Sequence, residues 1–94
     1  MAYVYILFSK KINAFYIGSC KDLKERLKQH NDHSFNKSFT KRANDWIVFY
    51  SIDNIEYQTA RKIEKHIKNM KSRKYIINLI KYPEITLKLM DKYK

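Results

Sequence analysis

Four side chains recur at the spacing that one helix face requires: Leu23, Arg26, Leu27 and His30. If residues 22–32 form a helix, these four share a stripe, while Lys24, Glu25, Lys28 and Gln29 face away. Leu23 and Leu27 must seek the core. Arg26 then sits at the margin of that contact. Either its stem packs while its head stays wet, or its guanidinium is held there for an anion. A second helix, 56–71, places a carboxylate in the same kind of position. Its apolar stripe is Tyr57, Ala60, Ile63, Ile67 and Met70, and Glu64 projects onto it between Tyr57 and Ala60. Arg61, Lys62, Lys65, Lys68 and Asn69 face outward. A carboxylate at a packed boundary costs free energy unless it is paired or holds a cation. An Arg26–Glu64 ion pair and a divalent-metal site both satisfy that condition, and spacing leaves both open.

Aromatic residues complete the set. "YVYILFS" (3–9) and "AFYIGS" (14–19) read as strands, joined by a polar "KKIN" turn into a hairpin. Alternation puts Tyr3, Tyr5 and Leu7 on one face, and Ala14, Tyr16 and Gly18 on one face. Tyr5 and Tyr16 become neighbours if those faces align. Gly18, the only glycine, removes a side chain beside them, which lets a ligand approach the backbone. A phosphate surrounded by Tyr5, Tyr16, Arg26 and His30 fits that description.

The elements that must hold these residues follow from pattern and caps. Asp22 is the expected N-cap of the first helix. "HSFNKSFTKRAND" (33–45) has no periodicity and reads as a loop, "WIVFYSI" (46–52) as a third strand, and 56–71 as the second helix. Ser72 caps a third helix, "RKYIINLIKY", which Pro83 ends, and "EITLKLMDKY" can add a short terminal helix. The expected fold is α+β: a small antiparallel or mixed sheet with helices packed on it, in the order ββαβαα, as a single domain over 1–94.

Composition bounds the partner. The 94 residues carry a net charge of +11, and Lys and Arg are spread along the chain rather than gathered in a tail. A folded domain this basic is suited to a polyanion, nucleic acid before a membrane surface. The 45% hydrophobic fraction argues against disorder. No apolar run approaches the ~20 residues of a membrane span, and the charges of "MAYVYILFSKK" follow its apolar stretch, the reverse of a secretory signal. Cys20 is the only cysteine, which fits a reducing cytoplasm. As a nucleophile paired with His30 it lacks an evident third group. His33 and His66 show no metal-ligand spacing. Trp46 and Phe49 read as core residues of the third strand.

"YVY" (3–5), ten residues, "YIG" (16–18) and then "RLKQH" (26–30) resemble the GIY-YIG nuclease superfamily. The likeness is to small stand-alone bacterial proteins related to the nuclease domain of the excinuclease C subunit, and "IEKHIKNMKSRKYIINLI" (63–80) extends it through the helical half. The resemblance implies a three-stranded antiparallel sheet flanked by helices and metal-dependent phosphodiester hydrolysis on DNA, with RNA also open as a substrate, and a role in structure-selective cutting during repair or recombination. It assigns Tyr5 and Tyr16 to the two motif tyrosines, Arg26 to the helix arginine, His30 to a site that holds His or Tyr, and Glu64 to the metal-binding glutamate. Asn78 is the candidate for the family's downstream asparagine. Tyr3 departs from the pattern, standing where the first motif often has glycine.

The implied chemistry needs a positioned water, charge stabilisation at phosphorus and help for the leaving oxygen. Glu64 would hold Mg²⁺ or Mn²⁺, most other ligands being water and phosphate oxygens. Arg26 would bind the phosphate. Tyr5 or Tyr16 would position or deprotonate the water, and His30, with an ordinary pKa near ~6.5, would relay the proton. Lys37, Lys41 and Arg42 in the loop are candidates for backbone contacts. Two other classes are compatible with the residues: a binding module of the same fold with little cleavage, and a basic protein–protein adaptor.

Overall fold

The computed structural model describes residues 1–33 and 39–94. Two strands, β1 (Ala2–Ser9) and β2 (Ala14–Cys20), form the expected hairpin. Helix α1 (Leu23–Asp32) follows, then a 3₁₀ turn at Thr40–Arg42 inside the segment expected to be irregular. Strand β3 (Ile47–Ile55) runs three residues past its expected end, and α2 (Tyr57–Met70), α3 (Arg73–Lys81) and α4 (Pro83–Tyr93) complete the chain. The order is ββαβααα. The sheet is antiparallel throughout, in the order β2-β1-β3. The α+β expectation therefore holds, with a full fourth helix in place of a short one.

Caps explain the helix boundaries. The Asp22 carboxylate accepts from the backbone N–H of Glu25 at 3.1 Å, and the Ser72 hydroxyl accepts from that of Tyr75 at 3.1 Å. Each satisfies one of the orphan donors of a first turn. Helix α1 stops at His33, which takes a left-handed conformation (φ 64°) and bonds the Ala43 carbonyl through its ring at 2.9 Å. Pro83 does more than end α3: it opens α4, where its missing N–H costs nothing.

The sheet is covered on both faces. Val4, Ile6 and Ile52 meet Ala60, Ile63, Ile67, Ile76, Leu79 and Leu89 of the three later helices. Tyr5, Leu7 and Cys20 meet Ala43 and Trp46, with Leu23 and Leu27 of α1 packed beside them. Trp46 lies just before β3 rather than in it. Its indole N–H donates to the Thr40 carbonyl at 3.0 Å, and its backbone exchanges two hydrogen bonds with the Asn31 side chain. These bonds tie the described part of the loop to α1. Two stripe residues of α2 differ from expectation: Tyr57 and Met70, at the helix ends, are exposed.

Candidate active site

Strand β2 is an edge strand, and the candidate site wraps over that edge. Tyr16 and Gly18 point to the face that carries Tyr5 and α1; Ser19, of opposite parity, points to the face covered by α2. A cavity of about 250 Å³ opens there, lined by Tyr5, Tyr16, Gly18, Ser19, Arg26, Tyr57, Arg61, Glu64 and Lys68. Five of the residues singled out in the sequence thus converge. Three cationic side chains face one carboxylate, so the cavity favours an anion.

Tyr5 pairs with Gly18 across the hairpin, and Leu7 pairs with Tyr16, so the two tyrosines are diagonal neighbours with ring centroids 6.4 Å apart. A Cβ on residue 18 would come within 2.5 Å of Tyr5 Cζ and closer still to its hydroxyl oxygen. The space cleared by Gly18 is therefore filled by the Tyr5 phenol. This amends the expectation that the glycine opens room for phosphate directly: it makes room for the tyrosine that walls the cavity.

His30 stands behind that wall. It is 0% exposed, its Nε2 is 3.0 Å from the Tyr5 hydroxyl, and its ring lies 4.9 Å from that of Tyr16. Burial, helped by the nearby Arg26 charge, pushes its pKa down from 6.5 to about 4. At neutral pH the imidazole carries no charge, and its Nε2 shares one hydrogen bond with the Tyr5 hydroxyl, the tautomer deciding which of the two donates. A relay tuned near neutrality does not follow from this environment; an uncharged, oriented hydrogen-bond partner for Tyr5 does. Burial also raises Tyr5 well above the ordinary tyrosine range, opposed by a hydrogen bond from Arg26. Tyr16 is raised too, first by burial and then by the Glu64 charge. Both phenols are protonated at neutral pH in the absence of a further cation.

Glu64 reaches the cavity from α2 and is 19% exposed. The Ser19 hydroxyl donates to its Oε1 at 2.5 Å, and Lys68 Nζ, one turn on, lies 2.6 Å from its Oε2. The carboxylate's ion pair thus runs along its own helix. The packed Arg26–Glu64 pair weighed from sequence is not what holds it. With an ammonium already seated against it, the carboxylate is placed to hold a cation. Among the described residues no three His, Cys, Asp or Glu side chains gather. A single carboxylate suits Mg²⁺, which keeps several waters and borrows phosphate oxygens.

The remaining candidates fall elsewhere. Asn78 is half-buried on α3, its backbone carbonyl accepting from Tyr82, and does not line the cavity. Arg42 lies over the Phe39 ring at 5.2 Å, and Phe39 stacks on Tyr16 at 6.1 Å, so this end of the loop borders the site. Lys41 is exposed on the same turn, and Lys37 lies outside the described residues. Cys20 is buried, and burial pushes its thiol up, which disfavours a nucleophile. His66 bonds the Tyr93 hydroxyl at 2.9 Å.

The model of the GIY-YIG catalytic domain matches residues 1–76. The chain belongs to the GIY-YIG family. That match covers every strand, α1 and α2, and so every residue lining the cavity. No curated protein and no solved structure gives a significant match. Family membership makes this a nuclease-type domain with nucleic acid as the implied substrate. No helix among the described residues is long and apolar enough to cross a membrane.

Four lining residues escaped the sequence reading: Ser19, Tyr57 as a cavity residue, Arg61 and Lys68. Lys68 was detectable as the i+4 partner of Glu64. Ser19 was not, because strand alternation assigns it to the face away from the tyrosines.

Proposed function

We propose that this GIY-YIG domain is a divalent-metal-dependent DNA endonuclease. The observation that carries the reading is the convergence of Tyr5, Tyr16, Arg26 and Glu64 on one cationic cavity at the β2 edge. Arg26 binds the scissile phosphate and stabilises the charge that grows on its oxygens. Arg61 and Lys68 add positive charge on the opposite wall. Glu64, held by Ser19, would hold Mg²⁺ or Mn²⁺, which when bound would supply Lewis-acid stabilisation of the phosphoryl oxygens. Tyr16 is the phenol that reaches solvent and orients the attacking water. Tyr5, buried and hydrogen-bonded to His30, fixes the floor on which the phosphate rests. Water adds at phosphorus, one P–O ester bond breaks, and the leaving oxygen takes up a proton.

The decisive test is Glu64→Gln. Cleavage should vanish in both Mg²⁺ and Mn²⁺, while DNA binding persists or tightens because a negative charge has left the cavity. Stability should change by no more than ~1 kcal/mol, since the pair lost is an i,i+4 pair whose lysine is 47% exposed. Wild-type nicking by the variant would refute the metal role. A wild-type protein that binds but cuts none of flaps, branches, nicked duplex, single strands or RNA with either metal is a binding module.

A further inference from the structure

A second cavity, of about 430 Å³, adjoins the first and shares Arg26 and Tyr57 with it. Its character differs. Lys21 and Arg26 are matched there by Asp22 and Glu25, with Gln29 and the Tyr57 ring between them. Equal numbers of positive and negative side chains make a poor phosphate site: two carboxylates would face the anion. The same groups suit a heterocycle whose edge carries both donors and acceptors. Gln29 offers one of each, and Asp22 and Glu25 offer acceptors. Neither the Gln29 amide nor the Glu25 carboxylate makes a side-chain hydrogen bond to another described residue. Gln29, expected on the solvent face, is half-buried because it turns into this cavity.

Tyr57 is the hinge between the two spaces. The residue is 40% exposed although it starts the apolar stripe of α2. Lys21 lies 5.4 Å from the ring centroid and Arg61 lies 5.9 Å away. Both cations are exposed on flexible stems. Such contacts are weaker than the stacking of a base on an aromatic ring, so a base can displace them toward phosphates on either side.

Resting on the endonuclease reading, we infer that this cavity is a nucleobase subsite: it takes the base of the nucleotide next to the scissile phosphate, stacked on Tyr57 and read by Gln29, Asp22 and Glu25. A base can enter it only after leaving its stack. The preferred substrate then has an unpaired nucleotide at the cut, as in a single strand, flap or junction.

Metal-free binding tests this independently of cleavage. Single-stranded oligonucleotides carrying 2-aminopurine at successive positions, and a fully paired duplex of the same sequence, are titrated against wild type, Tyr57→Ala and Tyr57→Phe. Tyr57→Ala should weaken single-strand binding about 5- to 150-fold, the loss of one base–aromatic stack, and leave the duplex within about twofold. Tyr57→Phe should retain the wild-type affinity, and 2-aminopurine fluorescence should change at one preferred position with wild type and not with Tyr57→Ala. Equal losses on single strand and duplex would make Tyr57 a mere support for Lys21 and Arg61 and overturn the subsite, as would no loss at all. If wild type bound neither nucleic acid, the endonuclease reading would fall with it. Wild type that cuts DNA while Tyr57→Ala binds normally would remove the subsite alone. Because Tyr57 is exposed, thermal unfolding of both variants should match wild type, and the fluorescence scan on wild type stands without any variant.

Discussion

The buried histidine ties the stability of the fold to the state of the site. His30 is fully enclosed, and its pKa in the folded protein is about 4 against an ordinary 6.5. Below pH 6.5 the unfolded chain binds a proton that the folded chain refuses, so stability falls as pH drops through this window and levels off below about 4. The sign is fixed: the native state binds fewer protons, so stability rises with pH. By pH 4.5 the loss should be roughly 2–3 kcal/mol, a large share of the ~5–15 kcal/mol that holds a typical domain together. Urea denaturation at pH 7.5 and 4.5, on wild type and on His30→Gln, measures it. Asp45, whose carboxyl is held low by bonds from Ser9 and from the Lys11 backbone, loses its contribution mainly below this window. The difference between the two proteins isolates the one imidazole. NMR titration of the ring should place its midpoint near 4. A midpoint near 6.5, or an unchanged pH slope in His30→Gln, would refute the enclosed neutral imidazole behind Tyr5.

Gly18→Ala should overpack the Tyr5 ring and cost ~1–3 kcal/mol, seen as a fall in Tm of ~4–20 °C for a domain of this size, together with lost cleavage because Tyr5 is driven off His30. Arg26→Ala should leave a folded protein whose cleavage falls at least ~100-fold in single-turnover assays; the His30 midpoint should move up in the same preparation, since the Arg26 charge, after burial, holds it down. Lys68→Ala should tighten Mn²⁺ binding in calorimetry while weakening DNA binding, because Lys68 is paired with Glu64 and its charge adds to phosphate binding.

Much of the fold was legible because its signals are local. Asp22 and Ser72 announce two helix starts, Pro83 marks a third boundary, and β-branched and aromatic runs separate the strands from the charged helices. What failed failed at the ends. β3 continues through "DNI" to Ile55 because Ala2 of β1 pairs with Ile55, across an irregular register from the Val4–Ile52 pair, and nothing within 53–55 advertises that pairing. The 3₁₀ turn at Thr40–Arg42 is held by the Thr40 carbonyl's bond to the Trp46 indole, a contact set by tertiary packing rather than by local preference.

The site was legible to the same degree and for the same reason. Periodicity places Arg26 and His30 together and singles out Glu64 as a carboxylate on an apolar stripe. It cannot say that one carboxylate and two tyrosines from opposite faces of a sheet will meet. They meet because β2 is an edge strand: at an edge, the two faces are separated by one backbone width. Tyr16 and Ser19 therefore border one cavity although alternation assigns them to opposite sides. Gly18 between them carries no side chain, so the Tyr5 phenol can fold over the strand and close the gap. The lone glycine thus acts through the residue it admits. That is also why the hydrogen-bonding partners of Glu64 are Ser19 and Lys68, one across the edge and one along the helix, and why an ion pair with Arg26 through the packed core is not what keeps this carboxylate.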